Sequence, residues 1–252
     1  MINTVVFDMD GTILDTIPGL KYAMTEALRR AGYRAEFTDE QTKGLFGSGV
    51  NAAIRRALAL VGQSPAGTDG ISAAAGQSPA GTDSAAAAVR GSGLKVGESS
   101  EEEILRIKNI YMPIYEACCV DGSFPYEGIP ELLRDLKDAG YKTAVVSNKP
   151  DAAVKPLAEK YFPGLFDLAV GEREGIRRKP APDMVLEALR LLGTDPSEAV
   201  YVGDSEVDLE TAANSSLPCI AVDWGFRSRE YIESRGAGPI VSAPAEIMSL
   251  LE

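Results

Sequence analysis

Short apolar, β-branched runs in this chain are followed at once by polar residues, and this arrangement constrains the fold more than any other feature. The runs are Val5–Phe7, Thr143–Val146 and Ala199–Val202. The segments that follow them are Asp8–Thr12, Ser147–Asn148 and Gly203–Asp204. In an open parallel sheet, ligands bind outside the carboxyl ends of the strands. We therefore expect these polar residues to converge on one crevice.

From about Gly122 onward, helical and strand patterns alternate. Apolar spacing predicts helices at about 127–139, 152–160, 183–192 and 208–213, and strands at about 143–146, 168–170, 200–202 and 220–222. This rhythm predicts an α/β fold, with a Rossmann-like parallel sheet and helices on both faces.

About a hundred mostly helical residues separate the first strand from that block. Two helix starts show capping-box spacing, at Thr38 with Gln41 and at Ser100 with Glu103. We predict an α/β core of residues 1–16 and 122–252 and an inserted helical cap domain of residues 17–121. Such an insertion would lie beside the crevice, where it could act as a lid.

The insertion contains a near-tandem repeat, in which residues 62–69 recur as 76–83. Two copies are too few for a solenoid. The Gly, Ser, Pro and Ala composition predicts a mobile segment at about 62–93, with a short helix at 85–89. The repeat itself indicates no function.

Charge and cysteine content exclude several classes of protein. The net charge of -12 over 252 residues disfavours nucleic acid and anionic membranes as partners. No apolar stretch reaches the ~20 residues that span a bilayer. The first strand begins almost at Met1, so we expect no signal peptide. The three cysteines show no CxxC spacing, and we expect a cytoplasmic protein.

Histidine is absent from the chain, which removes further chemistries. Ser-His-Asp and Cys-His nucleophile systems cannot be built. Histidine-ligated zinc sites are excluded as well. Clustered carboxylates instead favour a hard, oxygen-ligated cation, and Mg²⁺ is the expected cofactor.

The polar segments supply the groups that phosphoryl transfer needs. Asp8 can attack phosphorus as a nucleophile, and Asp10 can act as general acid and base. A Mg²⁺ ion bridging Asp8 and Asp204 would offset their repulsion from a phosphate. The remaining expected contributions are a hydroxyl from Ser147, a cation from Lys179, and phosphate-binding turns at Gly11, Thr12 and Asn148.

Each segment alone has an ordinary structural explanation. An isolated DxD is typical of a solvated turn or a helix cap, and Ser-Asn is typical of a turn. Asp208 could simply favour the first turn of a helix. Together, in this order and behind predicted strands, the segments are hard to explain in that way.

The set resembles the four motifs of the haloacid dehalogenase-like hydrolase superfamily, with Asp8–Thr12 matching DxDGT. The resemblance implies a role for each matching residue: Asp8 as nucleophile, Asp10 as acid/base and backbone ligand of Mg²⁺, Ser147 as phosphate ligand, Lys179 as neutralising cation, Asp204 as metal ligand and Asp208 as orienting the metal shell. It also implies a C1-type cap.

Three segments are similar to phosphoglycolate phosphatases and their close relatives: Pro125–Ile129, Lys179–Pro182 and Trp224–Arg227. Two features depart from the pattern, namely the duplicated segment and Asn214–Ser216 in place of an Ala-Gly-like turn. The leaving-group contacts stay open. Gly47–Gly49, Arg55 and Arg56 could provide them, or could be a turn and a solvated helix face.

The resulting prediction is a Mg²⁺-dependent phosphatase for a small phosphorylated metabolite, with 2-phosphoglycolate as a candidate. A sugar-phosphate mutase or a pyrophosphatase of the same fold is the alternative within the family. A dehalogenase is disfavoured because Asp10 would be superfluous. From another class, a phospho-acceptor signalling module or a silent binding protein would also use clustered aspartates, but would need neither Asp10 nor a cap.

Overall fold

The computed structural model describes residues 1–47, 49–62 and 100–251. Its strands are β1 (Thr4–Phe7), β2 (Leu14–Asp15), β3 (Phe124–Pro125), β4 (Lys142–Pro150), β5 (Leu168–Glu172), β6 (Ala199–Gly203), β7 (Cys219–Val222) and β8 (Ile240–Val241). Its helices are α1 (Ile17–Arg30), α2 (Asp39–Leu45), α3 (Val50–Val61), α4 (Glu101–Cys118), α5 (Ile129–Asp138), α6 (Asp151–Tyr161), α7 (Asp183–Leu192), α8 (Glu206–Asn214), α9 (Arg229–Ser234) and α10 (Ala245–Ser249).

Six strands form one parallel sheet in the order β5-β4-β1-β6-β7-β8. β1 is central because the chain first builds outward on one side, through β4 and β5, and then returns to the other side with β6. Phe7 pairs with Val145 on β4 and with Val202 on β6. The residues that follow these strands therefore meet where the strand order reverses, at the expected crevice.

Helices cover both faces of the sheet. On one face, Phe7 and Val202 pack in a buried cluster with residues of α5, α6 and α10. On the other face, Val6 and Tyr201 pack with residues of α7 and α8. Burial on both faces explains why the strand sequences read as continuous apolar runs rather than alternating ones. The predicted α/β fold is confirmed.

The inserted helices α1 to α4 form a second layer with its own apolar core. This cluster draws its buried residues from 17–119 and from one outlying position, Phe226. Thr38 and Gln41 form the predicted capping box. At α4 the prediction is half right: Ser100 accepts the Glu103 amide, but the Glu103 carboxylate turns to Arg106 and Tyr33.

The chain enters and leaves the cap through a small ribbon that the sequence did not predict. β2 and β3 pair antiparallel, and the Gly19 amide donates to the Gly122 carbonyl at 3.0 Å. The helical insertion between β1 and β4 is confirmed, while its boundaries at 16/17 and 121/122 stay predictions. Beyond Gly62, the duplicated segment and its predicted helix lie outside the described residues. No helix in the described ranges is long and apolar enough to cross a membrane.

Candidate active site

Three buried carboxylates meet at the carboxyl end of β1. Asp8 follows β1, Asp204 follows β6, and Asp208 lies in the first turn of α8. One oxygen from each lies within 4.8 Å of the others. The sheet register creates this proximity, since β1 and β6 end at the same level.

Lys179 lies between two of these carboxylates. Its Nζ is 2.7 Å from Asp8 Oδ1 and 2.8 Å from Asp208 Oδ1, and it also donates to the Tyr201 hydroxyl at 2.9 Å. The lysine side chain is only 3% exposed. An unpaired ammonium at this depth would be costly, so its position depends on both carboxylates.

Asp204 is held by groups from two other segments. Oδ2 accepts the Phe226 amide at 2.6 Å, and Oδ1 accepts the Thr12 hydroxyl at 3.2 Å. Gly11 has φ +86°, and a Cβ there would lie 2.4 Å from Asp204 Oδ2. Glycine is therefore required at position 11 both for the turn and for the approach of this carboxylate.

The electrostatics of the cluster favour an added cation. Burial and repulsion from Asp208 raise the pKa of Asp8 well above its usual value, although Lys179 opposes the shift. The same two causes raise the pKa of Asp204 to about 7. Three carboxylates with one lysine carry excess negative charge, and carboxylate oxygens are the donors that hard divalent cations prefer. The donor set therefore fits a divalent metal ion.

This charge balance predicts an unusual pH dependence. In protein treated with a chelator, we expect Asp204 to make the free energy of unfolding fall as pH rises from about 4 to about 7. Its pKa is about 7 in the folded protein against 3.8 ordinarily, so across this window the folded state binds more protons than the unfolded state. One such group lowers the free energy of unfolding by about 1.4 kcal/mol for each pH unit within this window.

Denaturant unfolding of wild type and Asp204→Asn across this pH window measures that contribution as the difference between their slopes. A saturating divalent metal should reduce the difference, because the cation takes over the role of the proton. Parallel slopes for the two chelated proteins would contradict the assignment.

Asp10 faces a different partner from Asp8. Lys149 Nζ lies 2.9 Å from Asp10 Oδ1, and Ser147 Oγ lies 3.5 Å from Asp10 Oδ2. Lys149 also donates to the hydroxyl of Tyr115 on cap helix α4. Sequence reasoning did not select Lys149 or Tyr115. Lys149 could have been found from the sequence, because it directly follows Ser147–Asn148. Tyr115 could not, because only the tertiary fold brings α4 to Lys149.

The other predicted phosphate-binding residues, Gly11, Thr12 and Asn148, form hydrogen bonds to neighbouring segments of the site. Asn148 exchanges two hydrogen bonds with the Lys179 backbone, at 2.8 and 3.0 Å. The amides of Gly11 and Thr12 donate to the carbonyls of Leu14 and Met9, which closes a tight turn. Those two amides are therefore occupied, and the Thr12 hydroxyl orients Asp204. Of these three residues, Asn148 lines the cavity described next.

A cavity of about 560 Å³ lies between the core and the cap. Core side chains on its wall include Asp8, Asp10, Ser147, Asn148, Lys149, Arg178, Lys179, Asp204 and Asp208. Cap residues on its wall include Leu20, Phe46, Gly47, Gly49, Val50, Lys108, Tyr111 and Tyr115. Its size suits a small ligand, for which cavities of about 300–1,000 Å³ are typical.

The two arginines considered for the leaving group lie elsewhere. Arg55 pairs with Glu101 on α4, and Arg56 donates to the Leu45 carbonyl at 2.8 Å. Neither lines the cavity, whereas Gly47 and Gly49 do. Four cationic residues outside the motifs line the cavity: Lys108 on α4, Lys149, Arg173 and Arg178. Lys149 pairs with Asp10 and Arg173 pairs with Glu187, whereas Lys108 and Arg178 have no carboxylate partner among the described residues.

Comparison with known proteins agrees with this geometry. A sequence model of the haloacid dehalogenase-like hydrolase family matches residues 2–215. The N-acetylmuramic acid 6-phosphate phosphatase of Pseudomonas aeruginosa is 27% identical over 260 residues, which cover 100% of this chain and 95% of that protein. The phosphoglycolate phosphatase of Aquifex aeolicus is 26% identical over 249 residues, covering 98% and 96%.

A crystal structure shows the same relationship at higher identity. The protein from Lactobacillus delbrueckii subsp. bulgaricus, provisionally assigned as a phosphoglycolate phosphatase, superposes with a TM-score of 0.83 at 39% identity, and the match covers 99% of this chain and 98% of that one. The chain therefore belongs to the haloacid dehalogenase-like hydrolase family. It is an enzyme of the phosphatase class with a C1-type cap, as the motifs and the inserted helices predicted.

Proposed function

We propose that this phosphatase hydrolyses a small phosphomonoester with a carboxylate on its leaving group, such as 2-phosphoglycolate, through an aspartyl-phosphate on Asp8. The observation that carries the proposal is the position of Asp8, on the wall of the cavity with Lys179 at 2.7 Å and Asp204 beside it. This arrangement supports the proposal, because the carboxylate we assign as nucleophile has a cation and a second carboxylate close to it.

Asp8 has one oxygen available for attack. Oδ1 accepts the Met9 amide at 2.7 Å and pairs with Lys179. Within the described residues Oδ2 has no such partner, so Oδ2 is the oxygen we assign to the attack on phosphorus. The P–O bond to the leaving group breaks as the Asp8–phosphorus bond forms.

Asp10 would act as the general acid in the first half-reaction and as the general base in the second. It would donate a proton to the departing alkoxide and then accept one from the water that attacks the phosphoenzyme. Lys149 at 2.9 Å fixes the Asp10 carboxylate in the cavity wall. Cleavage of the phosphoenzyme by water releases inorganic phosphate and restores Asp8.

Asp8 and Asp204 would hold the metal, with the Asp10 backbone carbonyl and Asp208 as the further expected contributors. We propose Mg²⁺, because the donors are hard oxygens. A bound divalent cation would polarise the phosphoryl group and offset its repulsion from the carboxylates. Ser147 would donate its hydroxyl proton to a phosphoryl oxygen, since Ser147 Oγ already accepts the Lys149 amide at 3.1 Å.

The cavity also offers positive charge for a leaving group that carries an anion. Lys108 and Arg178 line the cavity, and neither has a carboxylate partner among the described residues. Two relatives have names that point to phosphate esters of carboxylic acids, phosphoglycolate and N-acetylmuramic acid 6-phosphate. These observations favour a carboxylate over an uncharged alcohol as the leaving group.

Phosphate release from matched substrates, with and without Mg²⁺, tests the proposal. We expect hydrolysis to require Mg²⁺ and the value of kcat/KM for 2-phosphoglycolate to exceed that for ethyl phosphate, which lacks the carboxylate, by about tenfold or more. N-acetylmuramic acid 6-phosphate belongs in the same panel. The variants Lys108→Met and Arg178→Met should lower the kcat/KM for 2-phosphoglycolate while leaving that for ethyl phosphate nearly unchanged, so the ratio of the two values should fall.

Two outcomes would contradict the proposal. Equal kcat/KM values for 2-phosphoglycolate and ethyl phosphate in wild type would contradict the claim that the cavity selects a leaving group with a carboxylate. An isomeric sugar phosphate as product, without free phosphate, would indicate a mutase instead of a hydrolase.

A further inference from the structure

We propose that Arg227 is a positioning residue that ties the cap to the metal ligand Asp204. It lies in the loop Trp224–Arg227, which follows β7 and which sequence similarity marked, but which the proposed chemistry does not use. The inference rests on the proposed role of Asp204 in holding the metal.

On the core side, the loop packs directly against Asp204. The Phe226 amide donates to Asp204 Oδ2 at 2.6 Å. At Gly225, a Cβ would lie 2.4 Å from Asp204 Oδ2 and equally close to the Gly11 carbonyl oxygen. A short hydrogen bond and a contact without spare room leave this carboxylate little freedom to move independently of the loop.

On the cap side, the same loop is bound at two points. The Arg227 guanidinium donates to the Lys43 and Phe46 carbonyls at 3.1 and 3.0 Å, at the end of α2. Phe226 is buried in the apolar cluster of the cap. Glu206 fixes the guanidinium at 2.8 and 3.1 Å, and the Arg227 side chain is only 11% exposed.

These contacts join the cap and the metal ligand through two consecutive residues. Moving α2 away from the core would break the bonds of Arg227 and drag the Phe226 amide from Asp204. By thermodynamic reciprocity, a metal ion that requires the present orientation of Asp204 must also favour the present position of α2. Lysine could replace the charge of Arg227, but not its planar fork of donors.

Calorimetric titration of Mg²⁺ into the full chain, without substrate, measures how Arg227 affects the affinity for the metal. We expect Arg227→Gln to raise the Kd for Mg²⁺ by about fivefold or more, the lower end of typical coupling between sites. Arg227→Lys should fall between Arg227→Gln and wild type. The control is Arg229→Gln, which removes a more exposed arginine paired with Asp223 at 2.7 Å within the core, and should bind as wild type does.

Hydrogen exchange of the segment 38–47 measures the reciprocal effect. Mg²⁺ should slow amide exchange around α2 in wild type and in Arg229→Gln, but not in Arg227→Gln. A residue that merely stabilised the fold would alter exchange equally with and without the metal. Thermal melting shows whether each variant is folded, and if Arg227→Gln is not, the same comparisons are made on Arg227→Lys.

The outcomes separate the two proposals. Equal Kd values for wild type and a folded Arg227 variant, with the same protection of α2 by Mg²⁺, would overturn the role of Arg227 alone. A wild-type protein that binds no Mg²⁺ would instead overturn the proposed metal site, and this inference with it.

Discussion

The Asp8→Asn variant is expected to lose phosphate ester hydrolysis by about 10⁴-fold or more while remaining folded. An amide cannot attack phosphorus as the carboxylate does, yet it can still accept hydrogen bonds from the Met9 amide and Lys179. Burial and the neighbouring Asp208 raise the pKa of Asp8, so the fold disfavours its charged form. Steady-state phosphate release measures the loss of hydrolysis, and thermal melting shows whether the variant remains folded.

The matched control is Asp135→Asn, which makes the same change on an exposed position of α5. It should retain wild-type activity. If Asp8→Asn kept most of its Mg²⁺-dependent activity, Asp8 could not be the nucleophile. Loss of activity together with loss of the melting transition would report unfolding, and the trapping experiment below would then have to identify the nucleophile.

The Asp10→Asn variant is expected to slow hydrolysis of an alkyl phosphate by about 10²–10⁴-fold, the usual contribution of general acid–base catalysis. The alkoxide of an alkyl ester needs a proton as it leaves, whereas 4-nitrophenolate does not. Formation of the phosphoenzyme from 4-nitrophenyl phosphate should therefore be affected far less than formation from 2-phosphoglycolate. Rapid-quench kinetics with both substrates measures the two rates.

Leaving-group dependence separates the role of Asp10 from general damage to the site. Removing the charge of Asp10 also deprives the buried Lys149 of its ion pair, so some loss of stability is expected for this variant. Such damage would slow both substrates by the same factor. Equal slowing of the alkyl and aryl esters would therefore count against Asp10 as the general acid.

The sequence predicted the core of the fold because local and long-range signals agree there. The run Val5–Phe7 is apolar on both faces and is followed by Asp8, which is typical of a central parallel strand ending at a ligand site. Asp204 follows a similar run, so the meeting of the two carboxylates could be predicted from their positions directly after predicted parallel strands. For α5 to α8, the helix ends also lie within about two residues of those that apolar spacing predicted.

The contacts between cap and core could not be predicted in this way. Lys149 meets Tyr115, 34 residues earlier in the chain, and Arg227 meets the end of α2, more than 180 residues earlier. No local spacing encodes how a helical layer docks on a sheet. The same limit applies to Lys108, whose place on the cavity wall depends on that docking, and to Thr12, whose hydroxyl turns toward Asp204 rather than into the cavity.

Peptide mapping of acid-quenched Asp10→Asn enzyme after mixing with 4-nitrophenyl phosphate and Mg²⁺, where formation of the phosphoenzyme does not need Asp10, tests the central claim most directly. Slow breakdown of the phosphoenzyme in this variant should let it accumulate, and mass spectrometry should find one phosphoryl group on the peptide that contains Asp8, attached to Asp8 itself. A phosphoryl group on any other residue, or turnover with no phosphoryl group on the chain at any time point, would contradict an aspartyl-phosphate at Asp8.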